Sequence, residues 1–506
     1  MAHEVVVVGG GIGGLTTAAL LAARGVDVCL VEKESRGGGC AVTFKRFDYE
    51  FEVGPSLYAS WQPGEIHERI FAELPVSAPE VRLASPAYVV RLPDETEVAI
   101  AEGDEEFHES LRRAFPECAD AAINFYREIA PVSRALSRVA RRVPDLRTAS
   151  KTRRLAAAVP EARFARRVLS SLNHTAAQHL ENTSQRFRRF LDAQLQIFSQ
   201  RSTEDCSYLY AAVALMLPRR GMYSIGGGAS ALADALTEAI RKSGGRVRFD
   251  TTALRLTYNA QGRAVGVDLL SGETLEATHA VVSNLPVWDT YGKLVGASHT
   301  PDVVRRRLKD LRGWGAYVLY LGMDEEASQR LPADHILALT DWQEGQPFDA
   351  ESAQFMFGAA PEWDPRAPAG KRAVTVSTFT EPTQWFSYHE DETEHEEQDQ
   401  ATLERWWERI HKMLPELGAG IEVIDTATPR TFYDYTRRKL GMVGGVGQSL
   451  DVFGMKSLSH RTAIPNLYMV GDTTFPGQGV AAVTQSALIV ANEITRSKKV
   501  KGKRRK

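Results

Sequence analysis

Residues 4–33 read EVVVVGGGIGGLTTAALLAARGVDVCLVEK. An apolar run from Val5 to Gly9 passes into Gly9-x-Gly11-x-x-Gly14. An alanine- and leucine-rich helical pattern follows to Arg24, where Gly25 stops it. A second apolar run, Val28 to Val31, ends at Glu32. The order is strand, glycine turn, helix, strand, with an acid at the tip of the second strand. Each part has a physical role. Gly9 permits the tight turn, Gly11 lets backbone approach a pyrophosphate, and Gly14 lets helix and strand pack closely. The helix N-terminus offers free N–H groups and partial positive charge to phosphate. Glu32 can accept hydrogen bonds from two ribose hydroxyls and would repel a 2′-phosphate. Framed by both strands and the acid, the glycine pattern predicts a dinucleotide-binding βαβ unit.

A chain of 506 residues is too long for one simple core and suggests two or three domains. Its 43% hydrophobic and 25% charged content is that of an ordinary globular protein, and a net charge of −3 gives no overall pull toward nucleic acid. Cys29, Cys40, Cys118 and Cys206 lie far apart without ligand-like spacing, so a reducing compartment is expected and neither a disulfide framework nor a metal centre is. The first strand begins at residue 4, and no targeting peptide is expected ahead of it. The longest apolar run, Tyr208 to Leu217, is about half of a membrane span. A cytoplasmic location is the expectation.

Three further segments belong with the opening unit. Gly38-Gly39-Cys40 lets the chain pass close to a ligand lying along the first strand, and Gly54-Pro55-Ser56 makes a second tight turn. More than 400 residues later, Leu467 to Val470 reads as a buried strand ending in Gly471-Asp472, then Pro476-Gly477-x-Gly479 opens an apolar helix from Val480. A carboxylate after such a strand can bond a polyol, and a helix N-terminus can stabilise negative charge on a reduced ring. A flavin dinucleotide carries a ribityl polyol and a nicotinamide dinucleotide does not, so FAD is favoured. Between these, residues 221–258 give a glycine turn, a helix from Ser230 to Lys242, a Gly244-Gly245 stop and a strand. A hairpin and a buried strand ending at Asn284-Leu285-Pro286 follow.

With GGCAVTFKRFDYEFEVGPSLYASWQPGEIHERIF, LDAQLQIFSQ, SYLYAAVALML, TPRTFYDYTRRKLGMVGGVGQSLDVFG and GDTTFPGQGV, the chain resembles the phytoene-desaturase-like branch of the FAD-dependent amine-oxidase superfamily. Within it the chain is most similar to carotenoid isomerases and cyanobacterial-type carotenoid 3′,4′-desaturases. Two departures stand out: Glu52 where the family usually has Asp, and Phe47-Asp48 where it usually has a glycine-phenylalanine pair. The resemblance implies that Gly9, Gly11, Gly14, Glu32, Gly38, Gly39, Gly471, Asp472, Gly479 and Val480 touch FAD, and that the backbone of Ala253 meets the adenine. It implies an α/β fold with an α+β second domain. A Rossmann-like FAD domain would be assembled from residues 1–80, 220–295 and 460–497. A substrate domain with a mixed sheet and helical lid would take residues 81–219 and 296–459, and a disordered basic tail residues 498–506. The implied activity is desaturation or cis–trans isomerisation of a long apolar polyene in carotenoid biosynthesis. A retinol-saturase-like enzyme, a flavin amine oxidase and a flavin-free prenyl-binding protein are the alternatives.

A polyene rod needs an apolar corridor. Candidate linings are Tyr208–Leu217, Trp314–Tyr317 and Phe355–Phe357, although ordinary core explains each as well. Tyr433, Tyr435 and Arg437 are conceivable polar groups near the ring, or solvated surface. No triad or other nucleophile constellation appears, so no catalytic residue is assigned, and a quinone or another acceptor is left open as partner. Between Pro131 and Ser170 eleven basic residues face Asp145 and Glu161, with apolar residues interleaved at near-helical spacing. Such a segment suits either a solvated helix face or peripheral attachment to anionic lipid. It lacks the aromatic platforms of a nucleic-acid binder. The acidic stretch His389 to Gln400 reads as solvated rather than metal-binding.

Overall fold

The computed structural model describes residues 2–142, 150–386, 392–453 and 456–504. Its first sheet has the spatial order Arg246–Arg248, Val28–Val31, Ala2–Val8, Thr274–Ser283, Ala264–Leu269, Ala253–Tyr258. The first four run parallel, and Leu467–Met469 adds in parallel beside the C-terminal end of Thr274–Ser283. The last two form an antiparallel ribbon. The valine run is continuous because both sheet faces are covered. Val5 and Val7 pack under the helices Ile12–Ala23, Gly228–Lys242 and Val480–Arg504, while Val6 and Val8 face the ribbon and Trp288. One sheet thus draws strands from the beginning, middle and end of the chain.

The second sheet is mixed. Its order is Ile421–Ala427, Gly315–Asp324, Lys371–Thr380, Gln354–Ala359, His335–Leu339, Val89–Arg91, Glu97–Ala99, with one parallel pairing, between Val89–Arg91 and His335–Leu339. Alternate side chains sort to opposite faces, as strand geometry requires. Tyr317, Leu319, Phe355 and Phe357 meet the outer helix Glu392–Met413 through Trp406 and Ile410. Leu337, Leu339 and Met356 meet a layer built from Ala119–Arg142, Gln185–Ser199 and Tyr208–Met216.

Two elements depart from the sequence reading. The hairpin Thr43–Arg46 and Tyr49–Glu52, expected within the nucleotide region, lays Tyr49 and Phe51 on the second sheet against Ala316, Val318 and Tyr320. Its alternating aromatics supply an apolar face, and that sheet covers it. The helix Val480–Arg504 also carries the chain through residues 498–504, which were expected to be disordered. Once a helix is docked, adding residues costs little, and Lys498 reaches Glu4 at 2.7 Å.

Candidate dinucleotide site

The glycine turn closes because its residues have no side chains. A Cβ on Gly14 would overlap the carbonyl oxygen of Gly9. Beneath the loop sits a residue the sequence reading passed over, Asn284, anchored by its N–H to the Val8 carbonyl at 2.8 Å. A Cβ on Gly11 would stand 2.6 Å from its Nδ2, and one on Gly13 2.7 Å from its Oδ1. Gly38 donates to the Gly10 carbonyl at 2.8 Å, and a Cβ on Gly39 would lie 3.2 Å from the Gly11 Cα. The paired glycines therefore run against the turn. Asn284 itself offered only a polar residue at a strand end as its signal.

Glu32 is tied on every side. Its N–H donates to Arg248 at 2.9 Å and its carbonyl accepts from Thr251 at 2.8 Å. Its carboxylate accepts from the Gly10 N–H at 2.5 Å and the Glu34 N–H at 3.0 Å. Burial pushes this carboxyl above the ordinary range, and the two N–H donors work the other way. Ala253 opens the neighbouring strand two residues beyond Thr251.

The C-terminal segment arrives at the same place. Val470 donates to Ser283 at 2.9 Å, and a Cβ on Gly471 would lie 3.2 Å from Asn284 Oδ1. Asp472 follows, paired at 2.7 Å with Arg438, whose Nε also bonds the Met442 carbonyl at 2.6 Å. Burial disfavours this guanidinium's charge, yet Asp472 beside it holds its pKa above the usual range. Arg438 also opposes the burial that pushes the Cys40 thiol up, so Cys40, Arg438 and Asp472 form one charged corner. Gly479 looks into open space, and Val480 begins the long helix there.

These donors fit a flavin dinucleotide: a ribose-binding carboxylate, a glycine turn without Cβ atoms, an acid for a polyol, and an open helix N-terminus. The sequence profile described as "Flavin containing amine oxidoreductase" matches residues 12–495. The chain belongs to that family. It is a FAD-dependent oxidoreductase. It is 26% identical to the chloroplastic prolycopene isomerase of Arabidopsis thaliana, over 97% of this chain and 82% of that one. It is 24% identical to the human all-trans-retinol 13,14-reductase, over 97% and 85%. Among solved structures, putrescine oxidase superposes with a TM-score of 0.64 at 14% identity, covering 98% and 99%. Cyclohexylamine oxidase from Brevibacterium oxydans gives 0.59 at 14%, covering 97% and 99%. Those likenesses establish the fold.

Of the alternatives the sequence left open, the structure takes one for each of several segments. Tyr435 is 68% exposed, Arg437 pairs with Asp434 at 3.3 Å, and Tyr433 lies under Lys293 and Arg437. The helix Pro429–Thr436 ends with Arg437 in the left-handed conformation, which reverses the chain and turns the next residue, Arg438, inward. Phe355, Phe357 and Tyr317 belong to the outer core rather than a corridor. From the Tyr208–Leu217 run, Tyr210 approaches the Pro476–Gly479 turn: a Cβ on Gly477 would lie 3.5 Å from its hydroxyl. A cavity of about 440 Å³ lies beside Arg189, in the first half of the helix Gln185–Ser199; Trp342 and Phe348 also line it, and no residue of the glycine turns does. Glu52, the departure from the family's Asp, is a buried clasp: it pairs with Arg366 at 2.7 Å and accepts from Tyr58, joining the second sheet's loops to the nucleotide domain. His389 lies outside the described residues. Among those described, no three His, Cys, Asp or Glu side chains are placed to hold a metal ion.

Proposed function

We propose that this enzyme acts on a long apolar polyene, as a carotenoid cis–trans isomerase or desaturase. The full-length similarity to prolycopene isomerases carries the reading. Bound FAD supplies the hydride acceptor or donor. Besides the Asp472–Arg438 pair, the polar side chains of this chain beside the Gly477–Gly479 part of the turn are uncharged. Gln478 Nε2 donates to the Ile197 carbonyl at 2.6 Å, and Gln200 Nε2 to Val443 at 2.9 Å. The Tyr210 hydroxyl donates to Phe198 at 3.0 Å, and burial raises its pKa, keeping it protonated. Behind them stand Phe198, Leu209 and Phe453. A hydrocarbon needs no charged partner, and these uncharged and apolar side chains offer it a surface on which water is held weakly.

A second reading, reduction of a retinoid-like polyene, is favoured by the similarity to all-trans-retinol 13,14-reductases. The enzyme would work in the cytoplasm at a lipid surface, where such substrates dissolve, with a quinone or another acceptor reoxidising it. Four free cysteines are in keeping with a reducing compartment. Flavin-loaded enzyme, pre-reduced and kept anaerobic, should interconvert lycopene geometric isomers on chromatography. Products with more double bonds, formed only with an added quinone, would identify a desaturase. Saturation of retinol with no effect on lycopene would replace the carotenoid reading by the retinoid one.

A further inference from the structure

The helices Lys151–Ala158 and Ala162–Ser170, joined by the short turn Val159–Glu161, lie against Ala119–Arg142. Their inner side is fixed: Glu161 accepts from Arg138 at 2.6 and 2.7 Å and from Arg142 at 3.2 Å, and Ala157 is buried. Their outer side carries apolar side chains that no described residue covers. Leu155 is 66% exposed, Val159 60%, Leu169 65% and Leu172 51%. These are four of the eleven large exposed hydrophobics among the described residues, gathered within eighteen positions. Isolated exposed leucines are common on soluble surfaces, but a cluster this dense marks a contact surface.

The charge around the cluster selects the partner. Residues 150–172 hold six basic groups (Lys151, Arg153, Arg154, Arg163, Arg166, Arg167) and one acid, Glu161, which is already paired inward. A second copy of the chain would set these cations against their own kind. Arg167 reaches Glu128 at 3.6 Å within the chain, while an anionic surface suits Lys151, Arg163 and Arg166, and a lipid one also covers the leucines. We propose that this face docks on an anionic bilayer, Leu155, Val159, Leu169 and Leu172 entering the boundary of the acyl chains while Lys151, Arg163 and Arg166 meet headgroup phosphates.

The placement gives the contact a purpose under the polyene reading, on which this part alone rests. Ala119–Arg142 packs on Tyr208–Met216, and that helix presents Tyr210 to the Pro476–Gly479 turn. The docking face is thus the outermost layer of the helical lid, with the redox centre under its inner layer.

Vesicle flotation of the flavin-loaded full chain tests the docking without any polyene, so failure of the substrate reading leaves it standing, and the reverse. Phosphatidylcholine vesicles are compared with vesicles that also contain phosphatidylglycerol. The enzyme should float with the anionic vesicles alone. Leu155→Ser with Leu169→Ser should weaken partitioning about ten-fold, and Arg163→Gln with Arg166→Gln by a similar factor. Visible flavin absorbance per chain should stay unchanged in both variants, reporting intact folding. Absence of flotation with anionic vesicles overturns the proposal. So does undiminished flotation of the leucine variant, or a wild-type dimer that the leucine substitutions dissociate without any binding to vesicles.

Discussion

The two sheets bury apolar side chains equally well and differ in what limits them. In the parallel sheet the decisive contacts are made by glycine main chain: Gly14 against Gly9 and Gly38 against Gly10, with Gly11 and Gly13 against the Asn284 carboxamide. In the mixed sheet they are made by side chains sorted to two faces, such as Phe357 toward Trp406 and Met356 toward the helical layer. A site built from backbone proximity tolerates no added atom. A sheet built from side-chain packing can readjust. The first kind of constraint leaves a fixed spacing of residue types in a sequence, and the second leaves only a hydrophobic pattern.

The sharpest way to break the comparison is to add a Cβ to each half. Gly14→Val should yield protein without flavin, because the overlapping atom is the Gly9 carbonyl and backbone cannot swing aside. Gly322→Ala in the mixed sheet meets the end of the Tyr49 side chain, which can move. It should cost about 1 kcal/mol of stability, with flavin content unchanged. Visible absorbance per chain and thermal melts measure both.

A smaller effect is expected at the charged corner. Arg438→Met leaves the Asp472 carboxylate without its partner. Both groups keep some contact with solvent, so the loss should be about 2 kcal/mol, less than for a fully buried pair. Flavin affinity should then fall roughly thirty-fold in a fluorescence titration. Arg438→Met with Asp472→Asn should recover part of it, whereas a loss equal to that of Gly14→Val would show the corner to be as rigid as the glycine turn.

A last comparison sets the halves against each other by acid. Burial lowers His67, stacked on Trp61, to a pKa of about 3, and His335, in the mixed sheet, to about 4. Above the ordinary 6.5 both are neutral folded and unfolded, and neither affects stability. Below it the unfolded chain takes up protons that the folded chain refuses. Stability should therefore fall as pH drops from 6.5 toward 4, by up to about 1.4 kcal/mol per pH unit per group. His67→Phe and His335→Phe should each flatten the decline in melts between pH 7 and pH 4.5.

This contrast also sets what could be read from the sequence. Gly9, Gly11, Gly14, Glu32 and Gly38 are legible because backbone approach admits few residue types at each position. Arg438 was missed by one position, since the reversal at Arg437 depends on a left-handed residue that the stretch FYDYTRRK does not announce. Phe355 and Phe357 looked like a corridor because an apolar residue carries no mark of which face it will take. Asn284 and the Glu52–Arg366 clasp join residues hundreds of positions apart, and spacing does not encode such meetings.

Asn284 has a consequence for how the protein is made. Its carboxamide stands between the opening glycine loop and Gly471. The loop is therefore translated hundreds of residues before its counterpart, and the two cannot meet until the strand Leu467–Met469 has been made. A chain cut short before that strand should fail to load flavin.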